Sequence, residues 1–113
     1  MENKIATTEE QSKKLLELGI DEGTADMYWW HYNEKTYLSG MYDGEFNKRE
    51  EDVPAWSLSA LLNVMPKGLW LVKDVEEKYH IYTRVYIGEC VSSENPIDTV
   101  FEMVVYLKEN KLI

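Results

Sequence analysis

The stretch Tyr79-His80-Ile81-Tyr82-Thr83-Arg84-Val85-Tyr86-Ile87 changes character at every step. In an extended chain, successive side chains point to opposite faces. Ile81, Thr83, Val85 and Ile87 therefore share one face, and His80, Tyr82, Arg84 and Tyr86 share the other. An apolar face backed by an amphipathic one is the signature of an antiparallel sheet with one side on a core and one side wet. Upstream, Leu69 to Val75 forms a second strand-like run, and Glu76-Glu77-Lys78 between them is short enough for a hairpin turn. A hairpin of about 69–75 and 79–87 is thus the centre of the predicted fold.

Helices surround it. Thr8 with Gln11, or Thr7 with Glu10, has the capping-box spacing, and Glu9 and Glu10 place negative charge at the positive end of the helix dipole. Leu15, Leu16 and Leu18 supply an apolar face, and Gly19-Ile20 has the form of a Schellman ending. These signals predict a helix over about 8–18. Ser57 precedes Leu58, Leu61, Leu62 and Met65, which fall on one helical face, and Pro66 stops the run by pushing its predecessor out of helical geometry. That predicts a helix over 57–64. Asn95-Pro96-Ile97-Asp98 combines a cap, an N-terminal proline and an acidic first turn. Ile97, Val100, Phe101, Val104 and Val105 continue the pattern over 96–109, Asn110 ends it, and Leu112-Ile113 is expected to pack down. A small antiparallel sheet with helices packed on one face makes the fold class α+β.

Two regions resist patterning. Tyr28-Trp29-Trp30-His31-Tyr32 has strand propensity, but both faces would be large, and Ala25, Met27, Trp29 and Trp30 do not alternate in polarity. We read 27–32 as a helix running into irregular structure, with a strand as the alternative. Residues 33–54, with Gly40, Gly44 and the charged run Asn47 to Asp52, read as a long irregular surface excursion. Residues 1–6 carry no pattern and are expected to fray. The length of 113 residues suits a single domain.

Charge narrows the function. Twelve Lys and Arg against 21 Asp and Glu give a formal charge of −9. Such a chain is repelled by nucleic-acid phosphates and by anionic membrane surfaces, so neither is an expected partner. No apolar run approaches the roughly 18 residues of a membrane span, and Met1 to Thr8 has no apolar signal core. The lone Cys90 cannot form an internal disulfide. The expected location is the cytoplasm.

The chemistry-bearing residues are sparse. His31, His80 and Cys90 lack metal-ligand spacing, and Asp43-Gly44-Glu45 lacks the carboxylate ladder of a calcium loop. Cys90 with His80 would be a thiolate pair only if the fold joined them, and Cys90 equally fits as a small apolar residue after a strand. Ser57 and Ser59 serve a helix start, and there is no Gly-x-Ser-x-Gly elbow or glycine-rich phosphate loop. No metal, cofactor or catalytic residue is expected. What stands out is aromatic: four Trp and eight Tyr. The His80, Tyr82, Arg84, Tyr86 stripe can stack on a ligand or a partner, or simply be a half-wet sheet face. Trp56 and Trp70 read as structural, whereas Trp29 and Trp30 cannot easily both be buried in one small core, so one of them is the best surface anchor.

Leu18-Gly19-Ile20 with Thr24-Ala25-Asp26-Met27, Pro54-Ala55-Trp56-Ser57-Leu58-Ser59-Ala60-Leu61-Leu62, and Phe101-Glu102-Met103-Val104-Val105 followed by Leu107 resemble a family of small uncharacterised proteins from Bacteroides-type gut bacteria and their phages and prophages. The resemblance spans most of the chain, and its motifs are helix caps and core faces. That family has no established activity, so the resemblance implies a bacterial or phage accessory protein and brings no functional residue. The expectation is a non-catalytic module that binds another protein, or itself as a homo-oligomer, through exposed aromatics. The alternative is a small-ligand binder for aromatic or sugar-like molecules, or a weak hydrolase, using the His80/Tyr82/Arg84/Tyr86 face.

Overall fold

The computed structural model describes residues 4–40, 52–66, 69–73, 75–76, 78–83, 92–93 and 95–113. Its helices begin and end where local chemistry satisfies their free backbone groups. Helix α1 (Glu9–Glu17) uses the Thr8 spacing: the Gln11 amide donates to Thr8 Oγ1 at 3.1 Å, and the Thr8 amide donates to Gln11 Oε1 at 3.0 Å. It stops at Gly19, whose φ of +92° suits a residue without Cβ. The Ile20 and Gly19 amides then donate to the Leu15 and Leu16 carbonyls, both at 3.0 Å. Helix α2 (Leu58–Val64) is capped by Ser57, which Asp26 holds through both its amide and its hydroxyl. Helix α3 (Pro96–Glu109) starts at Asn95, whose Oδ1 accepts from the Ile97 and Asp98 amides.

The strands form two small antiparallel sheets. Strands β1 (Met27–Tyr32), β2 (Lys35–Gly40) and β3 (Val53–Ala55) lie in the order β2-β1-β3. Strands β4 (Leu69–Lys73), β5 (Tyr79–Thr83) and β6 (Ser92–Ser93) lie in the order β4-β5-β6. The fold is α+β, and the predicted hairpin is present as β4–β5, with Lys73 opposite Tyr79 and Leu69 opposite Thr83. Val85 and Ile87 of the predicted second strand lie outside the described residues.

The helix reading of 27–32 is corrected: this stretch is β1, the central strand of its own sheet. Large residues occupy both of its faces because both faces carry contacts, so polarity does not alternate. Asn33 and Glu34, with φ of 49° and 63°, form a two-residue turn that sends the chain back as β2. This left-handed pair matches the twist of a hairpin. The irregular excursion is corrected at both ends, which are β2 and β3, while residues 41–51 lie outside the described residues. Residues 4–6, expected to fray, are tied down. Lys4 Nζ lies 2.6 Å from Asp98 Oδ1, and Ala6 bridges Ser57.

The core centres on α3. Ile97, Val100, Met103, Val104 and Leu107 are buried together with Leu15, Trp56, Leu61 and Ile81. Each such side chain contributes about 1.5–3 kcal/mol through removal from water. Helix α3 packs on α2 and on β5 and β6, while α1 packs on β3, so helices bridge the two sheets. Trp56 is fully buried, and its indole N–H donates to Thr24 Oγ1 at 2.9 Å. Beside it the buried Thr7 is a junction. The Thr7 amide donates to the Trp56 carbonyl, the Trp56 amide donates to Thr7 Oγ1, and Thr7 Oγ1 meets Ser12 Oγ at 2.8 Å.

Candidate functional site

The β1–β2 hairpin has two faces with different occupations. Antiparallel register places Trp30 opposite Tyr37, Tyr28 opposite Ser39, and His31 opposite Thr36. Met27, Trp29, His31, Thr36 and Leu38 therefore share one face, and Tyr28, Trp30, Tyr32, Lys35, Tyr37 and Ser39 share the other.

The first face is turned to the start of α1. The Trp29 indole donates to the Thr7 carbonyl at 2.8 Å. His31 Nε2 lies 3.1 Å from Glu9 Oε2, and His31 Nδ1 lies 3.0 Å from Thr36 Oγ1. Glu9, His31 and Thr36 thus stand in the order carboxylate, imidazole, hydroxyl. An open depression of about 340 Å³ lies on this side, lined among the described residues by Thr8, Glu9, Glu10 and Trp29. Thr36 is not among the described residues that line it. The Glu9–His31 contact ties the hairpin to α1.

The second face is aromatic. Trp30 and Tyr37 stack with ring centroids 4.5 Å apart and planes 24° from parallel. The Trp30 indole donates to Ser39 Oγ at 2.9 Å, which fixes the ring and satisfies its one donor. Tyr28 is half-buried beside them. Tyr32 is 60% exposed and Tyr37 is 37% exposed. A ring fixed as Trp30 is loses little entropy when it is covered, which is what a contact anchor requires.

The described members of the sequence-predicted site divide between the two sheets. Trp29 and Trp30 are both half-buried on opposite faces of β1, and the N–H of Trp29 is used by Thr7. His80 belongs to the other sheet, half-buried and opposite the exposed Val72. Arg84 and Tyr86 lie outside the described residues, as does the Tyr82 side chain. The Trp70 side chain, Cys90, and the Asp43-Gly44-Glu45 stretch lie outside them too. Sequence reasoning missed Tyr37 and Tyr32 as members of the surface. No turn signature marks them, because the two-residue turn Asn33-Glu34 lacks the glycine that usually announces a hairpin.

Among the described residues, no group of three or more His, Cys, Asp or Glu side chains could hold a metal ion. No helix of the described residues is long and apolar enough to cross a membrane. No protein-family model matches the chain, and no curated protein or solved structure matches it.

Proposed function

We propose that this protein is a non-catalytic interaction module: a small acidic bacterial or phage accessory protein that engages another protein, or a second copy of itself, through exposed aromatic side chains. The observation that carries the reading is the Trp30–Tyr37 stack with Tyr32 exposed beside it on one sheet face. Interfaces concentrate affinity in a few Trp and Tyr anchors, and this hairpin presents them pre-ordered. The charge of −9 favours a basic protein surface when the partner is a different chain.

The small-ligand or weak-hydrolase alternative rests on the His80/Tyr82/Arg84/Tyr86 face. Of those four side chains only His80 is described, and it lies opposite Val72 on a strand pair. The aromatic hairpin has the stronger support.

The test is isolation of the chain from its own host, beside a Trp30→Ala/Tyr37→Ala double variant. The wild-type chain should travel with a stoichiometric partner or as a self-associated species. The double variant should lose that association while keeping its circular dichroism spectrum. A wild-type chain that travels alone and monomeric defeats the reading, and association that survives the double substitution defeats its assignment to the aromatic rings.

A further inference from the structure

Among the described residues each sheet has two edges, and two of the four are short. Strand β3 has three residues and carries Pro54, and β6 has two residues. Proline and brevity are usual devices against edge-to-edge pairing. Strand β4 has five residues and closes on the exposed Lys73, and β2 is the longest edge. It runs six residues, Lys-Thr-Tyr-Leu-Ser-Gly, without proline and in unbroken register with β1. Its only lysine stands at the turn end.

The turn fixes which backbone groups of β2 face outward. A two-residue loop makes Tyr32 and Lys35 a hydrogen-bonded pair, and such pairs alternate along an antiparallel ladder. Trp30–Tyr37 and Tyr28–Ser39 are then hydrogen-bonded pairs as well. The N–H and C=O groups of Thr36, Leu38 and Gly40 point away from β1. Among the described residues, no backbone hydrogen bond outside the ladder engages 35–40.

We propose that β2 pairs antiparallel with β2 of a second copy about a two-fold axis at Leu38, joining two three-stranded sheets into one of six strands. The proposal rests on the interaction-module reading and names its partner. Only outward-facing residues can exchange hydrogen bonds across the new seam. Two-fold symmetry then sets Leu38 opposite Leu38 and Thr36 opposite Gly40 of the other copy. This register is self-complementary. The half-buried Leu38 side chains meet on the axis, and a Cβ built on Gly40 would have no atom within 4 Å, which leaves room for the facing threonine.

Charge permits the pairing. The chain holds 21 Asp and Glu, yet none lies in 35–40, so no carboxylates face each other across the seam. The remaining repulsion between two chains of charge −9 acts at long range and fades beyond about 8 Å at physiological ionic strength. Salt should therefore strengthen association, the opposite of its effect on a basic partner. The seam also brings the two Trp30–Tyr37 stacks onto one continuous face.

Sedimentation equilibrium of the whole chain tests this at low and high salt. The mass should rise from 13.3 kDa toward twice that value with concentration, and further at high salt. Leu38→Pro removes an outward N–H while leaving the β1 ladder, and Leu38→Glu sets two carboxylates on the axis. Each should weaken association by about tenfold or more while the circular dichroism spectrum is kept. By NMR, the Leu38 and Gly40 amides should gain exchange protection on association, whereas Tyr37 and Ser39 are protected throughout. A mass of 13.3 kDa at every concentration and salt overturns the proposal and leaves the aromatic face to a different partner. A dimer indifferent to both variants, or one dispersed by salt, overturns it while self-association stands.

Discussion

Helix α3 and the β1–β2 hairpin both place large apolar groups, but only one does so to build a core. Along α3, Ile97, Val100, Met103, Val104 and Leu107 are buried on one face, and Glu102 and Glu109 are exposed. Along β1 no residue is fully buried: four are half-buried and two are exposed. A helix buried on one side shows its structure in its sequence, because one periodicity separates inside from outside. A strand half-covered on both sides does not, since both faces select large amphipathic side chains. The difference teaches that α3 is shaped by packing and the hairpin by contacts that packing leaves unfinished.

Substitution should expose this contrast most at its extremes. Leu107 is fully buried in the α3 core, and Leu107→Ala is expected to cost about 2–5 kcal/mol by leaving a cavity. Leu38 on β2 is half-buried, and Leu38→Ala should cost about 1 kcal/mol or less. Urea denaturation of both variants measures the two values. Equal losses would break the distinction between a packed core and an open hairpin.

The junction between the regions comes next. Thr7 Oγ1 is the acceptor for the buried Trp56 amide at 3.0 Å, and the Thr7 carbonyl holds the Trp29 indole. Thr7→Val keeps the shape and removes the hydroxyl. It should cost about 1–3 kcal/mol, the penalty for an unsatisfied buried donor. Trp29 fluorescence should stay unchanged in the folded variant, because its own acceptor is a backbone carbonyl. A fluorescence shift would show that the hydroxyl also positions the hairpin. At the head of α3, Asn95→Ala removes the acceptor for two amides and should cost about 1 kcal/mol, read as a lower melting temperature.

What was legible follows the same division. The three helices and the β4–β5 hairpin announced themselves through caps and periodicity: Thr8 with Gln11, Ser57, Asn95-Pro96, and the alternation from Tyr79. Each is a local signal that tertiary packing reinforced. The first sheet was hidden because its deciding residues, Asn33 and Glu34, adopt left-handed geometry without glycine. The second position of such a turn most often carries glycine, so Glu34 gave no warning. The crowding of adjacent tryptophans marks one of Trp29 and Trp30 as a surface candidate without choosing between them, and Tyr37 is joined to Trp30 only through the register. Trp29 and Trp30 lie in one sheet and His80 in the other, a division that nothing in the sequence announces.

Glu34 and Lys111 allow the finest comparison, since each is a non-glycine residue at positive φ, one in each region. Lys111, with φ of 56°, ends α3: its amide donates to the Lys108 carbonyl and the Leu112 amide to the Leu107 carbonyl, as at Gly19. A left-handed residue with a Cβ costs about 1–2 kcal/mol, and glycine returns part of that as lost chain entropy, about 0.5–1 kcal/mol. Glu34→Gly and Lys111→Gly should therefore each stabilise by roughly 0.5 kcal/mol. The readouts should differ. Lys111 sits on the core helix, so its gain belongs to global unfolding and raises the melting temperature. Glu34 sits at the tip of a hairpin whose β2 strand, among the described residues, pairs only with β1, so its gain belongs to local opening. It should slow exchange of the Tyr37 and Ser39 amides more than it moves the melting temperature. A Glu34→Gly chain that melts higher with unchanged local exchange would mean that the hairpin opens only with the core, and the two regions would be one cooperative unit.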